Sequence, residues 1–191
     1  MATQIFKFIG KSRYTRVYET DNAFGKSEWK TGLYLDEETK KAYKASGIQK
    51  TIKTDKAEQP FPGEDYVEFT RPEFKPMKGI MVSFTPPFVY EGDNKEPSIY
   101  YINEETGKWV FSFDDPKTKT KIVRKGDPIL LANGSLIEVT VAVYDTAKGK
   151  GQRLEAIRII DLIPYEKKEQ VLKEEVEIEV DSEGEDQDAP W

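Results

Sequence analysis

The clearest hydrophobic pattern lies in the last third of the chain, where apolar and polar residues alternate over residues 136–144. The residues on the apolar face are Ile137, Val139, Val141 and Val143. A period of two is typical of a strand with one buried face. A second long strand is predicted over residues 152–163, and the glycine-rich loop 145–151 joins the two. The sequence therefore predicts a long β-hairpin that ends at Pro164.

The same periodicity predicts an earlier strand over residues 29–35. Its apolar face carries Trp29, Thr31, Leu33 and Leu35. The opposite face carries Lys30, Gly32 and Tyr34. A cation and an aromatic ring on one face favour a stacking surface for nucleic acid bases.

A short helix is predicted over residues 37–45, with Asp36 as its N-cap and Gly47 as its stop. A long polar loop follows over residues 46–65. Shorter strands are predicted over residues 66–70, 78–84, 99–102 and 108–113, and Trp109 and Phe111 are interpreted as core residues. Long strands, one short helix and long loops predict an all-β domain. The expected fold is a five-stranded barrel of the oligonucleotide/oligosaccharide-binding (OB) type.

One segment near the start of the chain mixes basic residues with aromatic ones. Residues 6–24 have a poor hydrophobic period, and we interpret them as an extended arm or a short edge strand. This segment is either a site for single-stranded nucleic acid or an arm packed on the body by its rings.

The densest basic cluster is residues 114–125, in which a spacing of two places three lysines on one side of an extended segment. These are Lys117, Lys119 and Lys121. They could follow a phosphate backbone, and the alternative is a solvated charge run.

Composition excludes several classes of chemistry. The 191 residues include no Cys and no His, which excludes disulfides, thiolate zinc sites, cysteine nucleophiles and histidine acid/base catalysis. No cofactor and no enzymatic activity are expected. The sequence contains no signal-peptide pattern and no apolar run of membrane-spanning length, so we expect a cytoplasmic protein with no membrane contact.

The charge distribution divides the chain into two parts. Nine of the 35 acidic residues lie in residues 174–191, which leaves 26 acidic against 29 basic residues in the rest. This split predicts a folded, mildly basic domain over residues 1–173 and a disordered acidic interaction tail over residues 174–191. A tail that only increases solubility is the alternative. The terminal Trp191 argues against that alternative, because an exposed ring is typical of an anchor that docks in a pocket.

A resemblance supports this interpretation. The run RKGDPILLANGSLIEVTVAVYD, the glycine-rich loop and RLEAIRIIDLI that follow it resemble the closing strands of bacteriophage single-stranded DNA-binding proteins of the short-tailed coliphage replisome type. The strand at residues 29–35 and the acidic tail with a terminal aromatic residue fit the same family. The resemblance implies an OB-fold protein that coats single-stranded DNA with little sequence preference in replication, recombination and repair.

The resemblance also implies where the contacts lie. The DNA-binding residues would be Lys30, Tyr34, Lys117, Lys119, Lys121, Tyr144, Lys148, Lys150 and Arg153. The tail would recruit replication proteins such as a DNA polymerase or a helicase/primase, through Glu183, Glu185, Asp186, Asp188 and Trp191. Tyr144 is the best candidate for stacking, and a ring that caps the core is its alternative.

Two other functional classes remain open at the level of sequence. The first is an acidic-tailed module that binds proteins or acts as a chaperone without binding DNA. The second is a metal-dependent nuclease that uses Asp114, Asp115 and Asp127, which look more like turn residues than metal ligands. A tail of one sign and a body of the other could also pair between copies, which leaves a homodimer open.

Overall fold

The computed structural model describes residues 2–110 and 120–165. It is mostly β-structure with one α-helix, as the sequence predicts. The strands are β1 (Gln4–Asp21), β2 (Glu28–Tyr34), β3 (Lys53–Thr54), β4 (Asp65–Pro72), β5 (Phe74–Met77), β6 (Ile80–Ser83), β7 (Phe88–Glu91), β8 (Ile99–Asn103), β9 (Thr120–Arg124), β10 (Leu136–Thr146) and β11 (Gly149–Asp161); the helix is α1 (Glu37–Ala45).

The described strands form two sheets rather than the expected five-stranded barrel. One sheet has nine strands in the order β3-β4-β2-β1-β10-β11-β7-β8-β9, and the other contains only β5 and β6. Over the described residues the larger sheet does not close, because β3 and β9 lie at its two ends. The extra strands come from segments that the sequence pattern assigned to loops or left unassigned, such as residues 88–91 and 120–124.

Strand β4 approaches β11 across the sheet, although the two are not neighbours in the strand order. Arg71 of β4 bridges this gap with its side chain, which is 1% exposed. Its Nη1 donates to Glu155 Oε2 at 3.1 Å, its Nη2 donates to Thr85 Oγ1 at 2.8 Å, and its Nε donates to the carbonyl oxygen of Thr85. Burial lowers the pKa of Arg71, and the Glu155 carboxylate opposes that change. Side-chain hydrogen bonds therefore connect two strands that are not joined by a ladder in the described sheet.

The main core lies on one side of the larger sheet, and the predicted hairpin supplies much of it. Its strands are β10 and β11, and its apolar face is buried as predicted. The four alternating residues Ile137, Val139, Val141 and Val143 are at most 2% exposed. They pack with residues of β1, β2, β4 and α1, including Phe8, Leu33, Val67, Phe69 and Tyr43.

The expectation of an arm or edge strand over residues 6–24 is wrong. Strand β1 lies inside the sheet, paired with β10 through its first half and with β2 through its second half. The pairing with β2 shifts register between Arg13 and Arg16, where Tyr14 adopts a φ of 44°. This irregularity breaks the alternation, so the apolar period of β1 is difficult to see in the sequence.

The helix is confirmed with the predicted bounds. The side chain of Asp36 accepts a hydrogen bond from the backbone N–H of Thr39 at 2.7 Å, which is the predicted N-cap. That hydrogen bond lowers the pKa of Asp36. Gly47 follows with a φ of 76°, a conformation that glycine adopts at low cost.

Residues 78–84 form a turn and a strand instead of one strand. Lys78 and Gly79 have φ values of 49° and 79°, and they reverse the chain between β5 and β6. Two successive left-handed residues are typical of the tight turns that connect hairpin strands. Residues 74–83 therefore form a hairpin that the sequence pattern did not predict.

Candidate nucleic-acid interface

The side of the larger sheet opposite the main core carries a second cluster of aromatic residues. Val89, Ile99 and Ile157 belong to the main core, whereas their neighbours on the same strands point the other way. We call this side, over β10, β11, β7, β8 and β9, the outer face. Its buried floor consists of Phe88, Tyr100 and Ala156.

Arg158 and Tyr90 form the most distinctive pair of the outer face. They are register partners on the parallel strands β11 and β7, and the guanidinium carbon lies 4.7 Å from the centre of the Tyr90 ring. Arg158 Nη1 also donates to the carbonyl oxygens of Gly92 at 2.6 Å and Asn94 at 2.9 Å. Each of these partners is neutral. Within the described part of the chain, no carboxylate lies within ion-pair distance of Arg158.

A second group lies on the neighbouring strands. The Trp109 ring packs 5.4 Å from the Tyr100 ring, centre to centre, and Lys125 Nζ lies 5.5 Å from the centre of Tyr100. Lys125 also pairs with the exposed carboxylate of Glu96, at 2.5 Å. Trp109 is 46% exposed, so the interpretation of this ring as a core residue is wrong. Phe111, interpreted in the same way, lies outside the described residues.

Lys121 extends this group along β9. It is the register partner of Ile102 on β8 and is exposed. Ile102 and Val123 pack against the floor of the outer face, so Lys121 lies on the same side as the rings. The predicted partners Lys117 and Lys119 lie outside the described residues.

Tyr144 lies at the other end of the outer face, on the side of β10 opposite its buried valines, as the alternation predicts. Its ring covers the backbone of Gly151, its register partner on β11. A Cβ at that position would stand 2.8 Å from the ring, so only glycine leaves room for this placement. Lys75 Nζ, from the β5–β6 hairpin, lies 5.8 Å from the ring centre. Tyr144 is therefore half-buried between two strands and a cation.

The other basic candidates near Tyr144 differ in how their charges are engaged. Lys148 is exposed at the turn between β10 and β11. Lys150, the second residue of β11, is also exposed, but its side chain packs toward Gly47 after α1, on the side of the strand opposite Tyr144. Arg153 is mostly buried, and its Nε donates to Glu155 Oε1, whose carboxylate Arg71 also contacts. Arg153 therefore pairs with a carboxylate inside the protein, and its charge attracts a ligand less strongly than the charge of Arg158 does.

Lys30 and Tyr34 of β2 occupy positions that do not suit DNA contact. Lys30 forms an ion pair with Asp21, and hydrogen bonding from Lys30 lowers the pKa of that carboxyl. Tyr34 is 4% exposed, and its hydroxyl donates to Asp55. Burial, followed by the Asp55 carboxylate, raises the pKa of Tyr34. The expected stacking role of Tyr34 does not agree with this burial, which arises because the long loop after α1 folds over the ring.

The same loop creates a second stacked arginine. Arg13 lies between two rings, 4.7 Å from the centre of Tyr14 and 3.9 Å from the centre of Tyr66. Its Nε donates to Asp55 Oδ1 at 2.9 Å, and both side chains of this ion pair are at most 6% exposed. A further polar partner is Gln59 Oε1, at 3.1 Å from Nη2. This cluster is a closed, neutralised unit that holds the loop on the sheet.

The sequence patterns did not single out Tyr90, Tyr100, Arg158 or Lys75 as site residues, and they indicated Lys125 only as the last residue of the basic cluster over residues 114–125. The pairing joins Tyr90 with Arg158, which lie more than sixty positions apart in the sequence, and it depends on the parallel alignment of β7 with β11. A cation with an aromatic register partner is the signal, but it becomes visible only after the strand pairing is known.

The tail residues Glu183, Glu185, Asp186, Asp188 and Trp191 lie outside the described residues, as do Asp114 and Asp115. Asp127 is exposed in a bend after β9. Among residues 2–110 and 120–165, no group of three or more acidic side chains could hold a metal ion. No helix in the described ranges is long and apolar enough to cross a membrane.

Comparison with known proteins shows a likeness at the level of structure. No protein-family model matches the chain, and no curated protein matches it. A solved structure that is similar is gp2.5, a single-stranded DNA binding protein encoded by bacteriophage T7. The two share 14% sequence identity with a TM-score of 0.44, over 93% of this chain and 97% of that one. A likeness at that level gives no information about individual residues of the outer face.

Proposed function

We propose that the protein binds single-stranded DNA along the outer face, without catalysing a reaction. The observation that carries this proposal is the stack of Arg158 on Tyr90, in which a cation is held over a ring and forms no ion pair within the described chain, since its β10 register partner Glu138 pairs with Lys7. The Trp109 and Tyr100 rings continue the stacking surface on the adjacent strands, where the cation, Lys125, already pairs with Glu96. Rings that stack on bases and cations that contact phosphates are the two elements of a site for single strands.

The geometry of β11 gives the length of the proposed track. Gly151, below Tyr144, and Arg158 are seven positions apart on one strand, which at about 3.3 Å per residue is about 23 Å. A single strand could contact the two ends of this track with successive nucleotides. Because stacking accepts any base and phosphate contacts carry no sequence information, binding would show little sequence preference and strong dependence on salt.

The proposed body is an OB-type arrangement of β1, β2, β4, β10 and β11. The buried pair of Arg71 and Glu155 supports this view, because it links β4 to β11 where the described sheet has no ladder between them. Such a core would hold the outer strands as a rigid platform for a ligand.

We also propose that the remaining basic candidates and the tail act on this face. Lys117, Lys119 and Lys121 would extend the track, while Lys148, Lys150 and Arg153 would border the Tyr144 end. The acidic tail would compete with DNA as a tethered polyanion and, when displaced, recruit replication proteins through Trp191 and its neighbouring carboxylates. Tails exchanged between copies would give a homodimer.

A binding experiment tests the proposal. Labelled single-stranded and double-stranded DNA are titrated with full-length protein and with protein lacking residues 174–191, across a salt series. We expect a preference for the single strand, affinity that falls with salt, and tighter binding without the tail at low salt. Absence of single-strand binding by both proteins would contradict the function, and unchanged or weaker binding without the tail would contradict the competition.

A further inference from the structure

The β5–β6 hairpin exposes an unusual amount of apolar surface. In the part of the chain that the structure describes, its two strands pair only with each other. The large apolar residues Phe74, Met77, Ile80 and Met81 are between 42% and 64% exposed. Lys75 and Lys78 are exposed between them. Contiguous exposed apolar residues mark interaction surfaces more often than isolated ones do.

The base of the hairpin is fixed on the body. The backbone N–H of Glu73 donates to the carbonyl oxygen of Ser27 at 2.9 Å, and the Ser27 hydroxyl donates to the Glu73 carboxylate. Phe84 closes the base through its N–H, which donates to the carbonyl oxygen of Glu73 at 2.6 Å. The hairpin therefore projects from a defined position, and its tip carries the exposed residues.

One side of the hairpin turns toward the outer face. Residues in register on antiparallel strands share a side, so Lys75 and Val82 lie on the same side as Met77 and Ile80. Lys75 Nζ lies over the Tyr144 ring, and Val82 is 6% exposed. This inner side continues the surface of Tyr144. The opposite side of the hairpin points away from Tyr144 and carries Phe74, Pro76 and Met81. We call it the outer side of the hairpin, which is distinct from the outer face of the sheet.

We propose that the inner side of the hairpin forms a wall of the DNA site next to Tyr144, and that a single strand in contact with Tyr144 continues along Met77 and Ile80. This inference rests on the proposed function and adds a binding element to it. Met77 and Ile80 would pack on bases, while Lys75 and Lys78 would contact phosphates. A nucleic acid is the occupant that suits this surface, because the lysines next to the apolar residues attract phosphate and the wall is continuous with the ring of Tyr144.

The wall also implies selectivity for strands with exposed bases. In a duplex the base faces are stacked on each other, so Met77 and Ile80 would find only the sugar-phosphate backbone. A single strand offers both faces of each base. The apolar residues of the hairpin would therefore favour single strands, while the lysines would not distinguish the two forms.

The test compares two matched double variants of the same hairpin. Met77→Ser with Ile80→Ser changes the inner side, and Phe74→Ser with Met81→Ser changes the outer side. All four side chains are exposed, and thermal unfolding checks that both variants are folded. Each protein is titrated with an oligo-dT strand and with an abasic oligomer of equal length and charge. We expect the inner variant to bind oligo-dT about tenfold more weakly and the outer variant to bind within about twofold of wild type.

The abasic oligomer separates base contacts from phosphate contacts. We expect wild type and the inner variant to bind it equally, because it has no bases for Met77 and Ile80 to contact. If wild type binds oligo-dT and the inner variant binds it equally well, the wall does not exist. Equal weakening by the outer variant, or a loss that persists on the abasic oligomer, would also overturn it. If wild type does not bind oligo-dT, the proposed function itself fails.

Discussion

Two arginines of this protein stack on tyrosine rings, and their surroundings differ. Arg13 lies between two rings, is 5% exposed and pairs with the fully buried carboxylate of Asp55. Arg158 lies on one ring and donates to two carbonyl oxygens. The same stacking contact therefore occurs in a neutralised cluster and in a cluster that keeps its positive charge.

The difference separates a structural role from a binding role. A buried cation whose charge is matched has little attraction left for a ligand, and its removal leaves an unpaired charge inside the protein. A cation held by neutral partners is fixed in position and still attracts phosphate. We infer that the Arg13 cluster stabilises the loop after α1, whereas the Arg158 cluster binds DNA. Substitutions in the Arg13 cluster should therefore lower stability and leave DNA binding nearly unchanged. Substitutions in the Arg158 cluster should weaken DNA binding and leave stability nearly unchanged.

Arg13→Ala should cause a large loss of stability. Asp55 would remain buried without its cation, which typically costs about 3–5 kcal/mol of unfolding free energy. Chemical denaturation with a tryptophan fluorescence readout measures it. Arg158→Ala is the matched control, for which we expect a change below about 1 kcal/mol, because no buried charge is left unpaired. Equal losses in the two variants would contradict the distinction.

Next in size is the loss of DNA binding when an exposed ring of the outer face is removed. Trp109→Ala should weaken binding of oligo-dT by about 1–3 kcal/mol, since the ring can no longer stack on a base. Tyr14→Ala is the control, because Tyr14 is exposed to a similar extent, 49% against 46%, but belongs to the Arg13 cluster. Fluorescence anisotropy of a labelled strand gives both affinities. If Tyr14→Ala loses as much affinity for oligo-dT as Trp109→Ala does, the binding site is not specific to the outer face.

A smaller effect concerns salt. Arg158→Gln should make the negative slope of log K against log salt shallower by about 0.7, the value for one phosphate contact to a single strand. Lys53→Gln is the control, since Lys53 Nζ already pairs with Glu68 at 3.3 Å. We expect its slope to match that of wild type. Identical slopes for wild type and Arg158→Gln would show that Arg158 contacts no phosphate.

The weakest effect is a pH dependence of stability on the β2 and β4 side. Hydrogen bonds from Lys40 and then Thr54 lower the pKa of Asp65 below its ordinary 3.8. Its contribution is therefore complete above about pH 4 and is lost as the pH falls through the lowered pKa. Asp65→Asn should lower the unfolding free energy at pH 7 by less than about 1 kcal/mol.

Denaturation of wild type and Asp65→Asn at about pH 7 and about pH 3 checks this sign. The difference between the two proteins should shrink at the lower pH. A difference that grows toward the acid end would contradict the assignment. DNA affinity at neutral pH should be the same in both proteins, because Asp65 lies away from the outer face.

The predicted parts of the fold are those with a local signal. The β10–β11 hairpin follows from alternation over consecutive residues, and α1 follows from Asp36 and Gly47 at its two ends. The position of β1 does not follow from local pattern, because the irregularity at Tyr14 interrupts its period. The open order of the sheet depends on long-range pairings such as β7 with β11, for which the sequence has no local signal.

The candidate site was predictable only where a residue and its environment lie close together in the sequence. Tyr144 was found because it alternates with buried valines, and Lys121 because it belongs to a dense basic run. The prediction of Tyr34 as an exposed ring is wrong, because the loop that carries Asp55, 21 positions later, covers it. Arg158 and Tyr90 were missed because each is an ordinary strand residue until the two strands are paired.

Titration of labelled oligo-dT at several salt concentrations compares the two clusters in one experiment. The proteins are wild type, Arg158→Ala combined with Trp109→Ala, and the control Lys53→Gln combined with Tyr14→Ala. We expect the first variant to bind at least about tenfold more weakly with a shallower salt slope, while the control matches wild type. Equal affinities for wild type and the first variant, or equal losses in the two variants, would contradict a DNA site on the outer face.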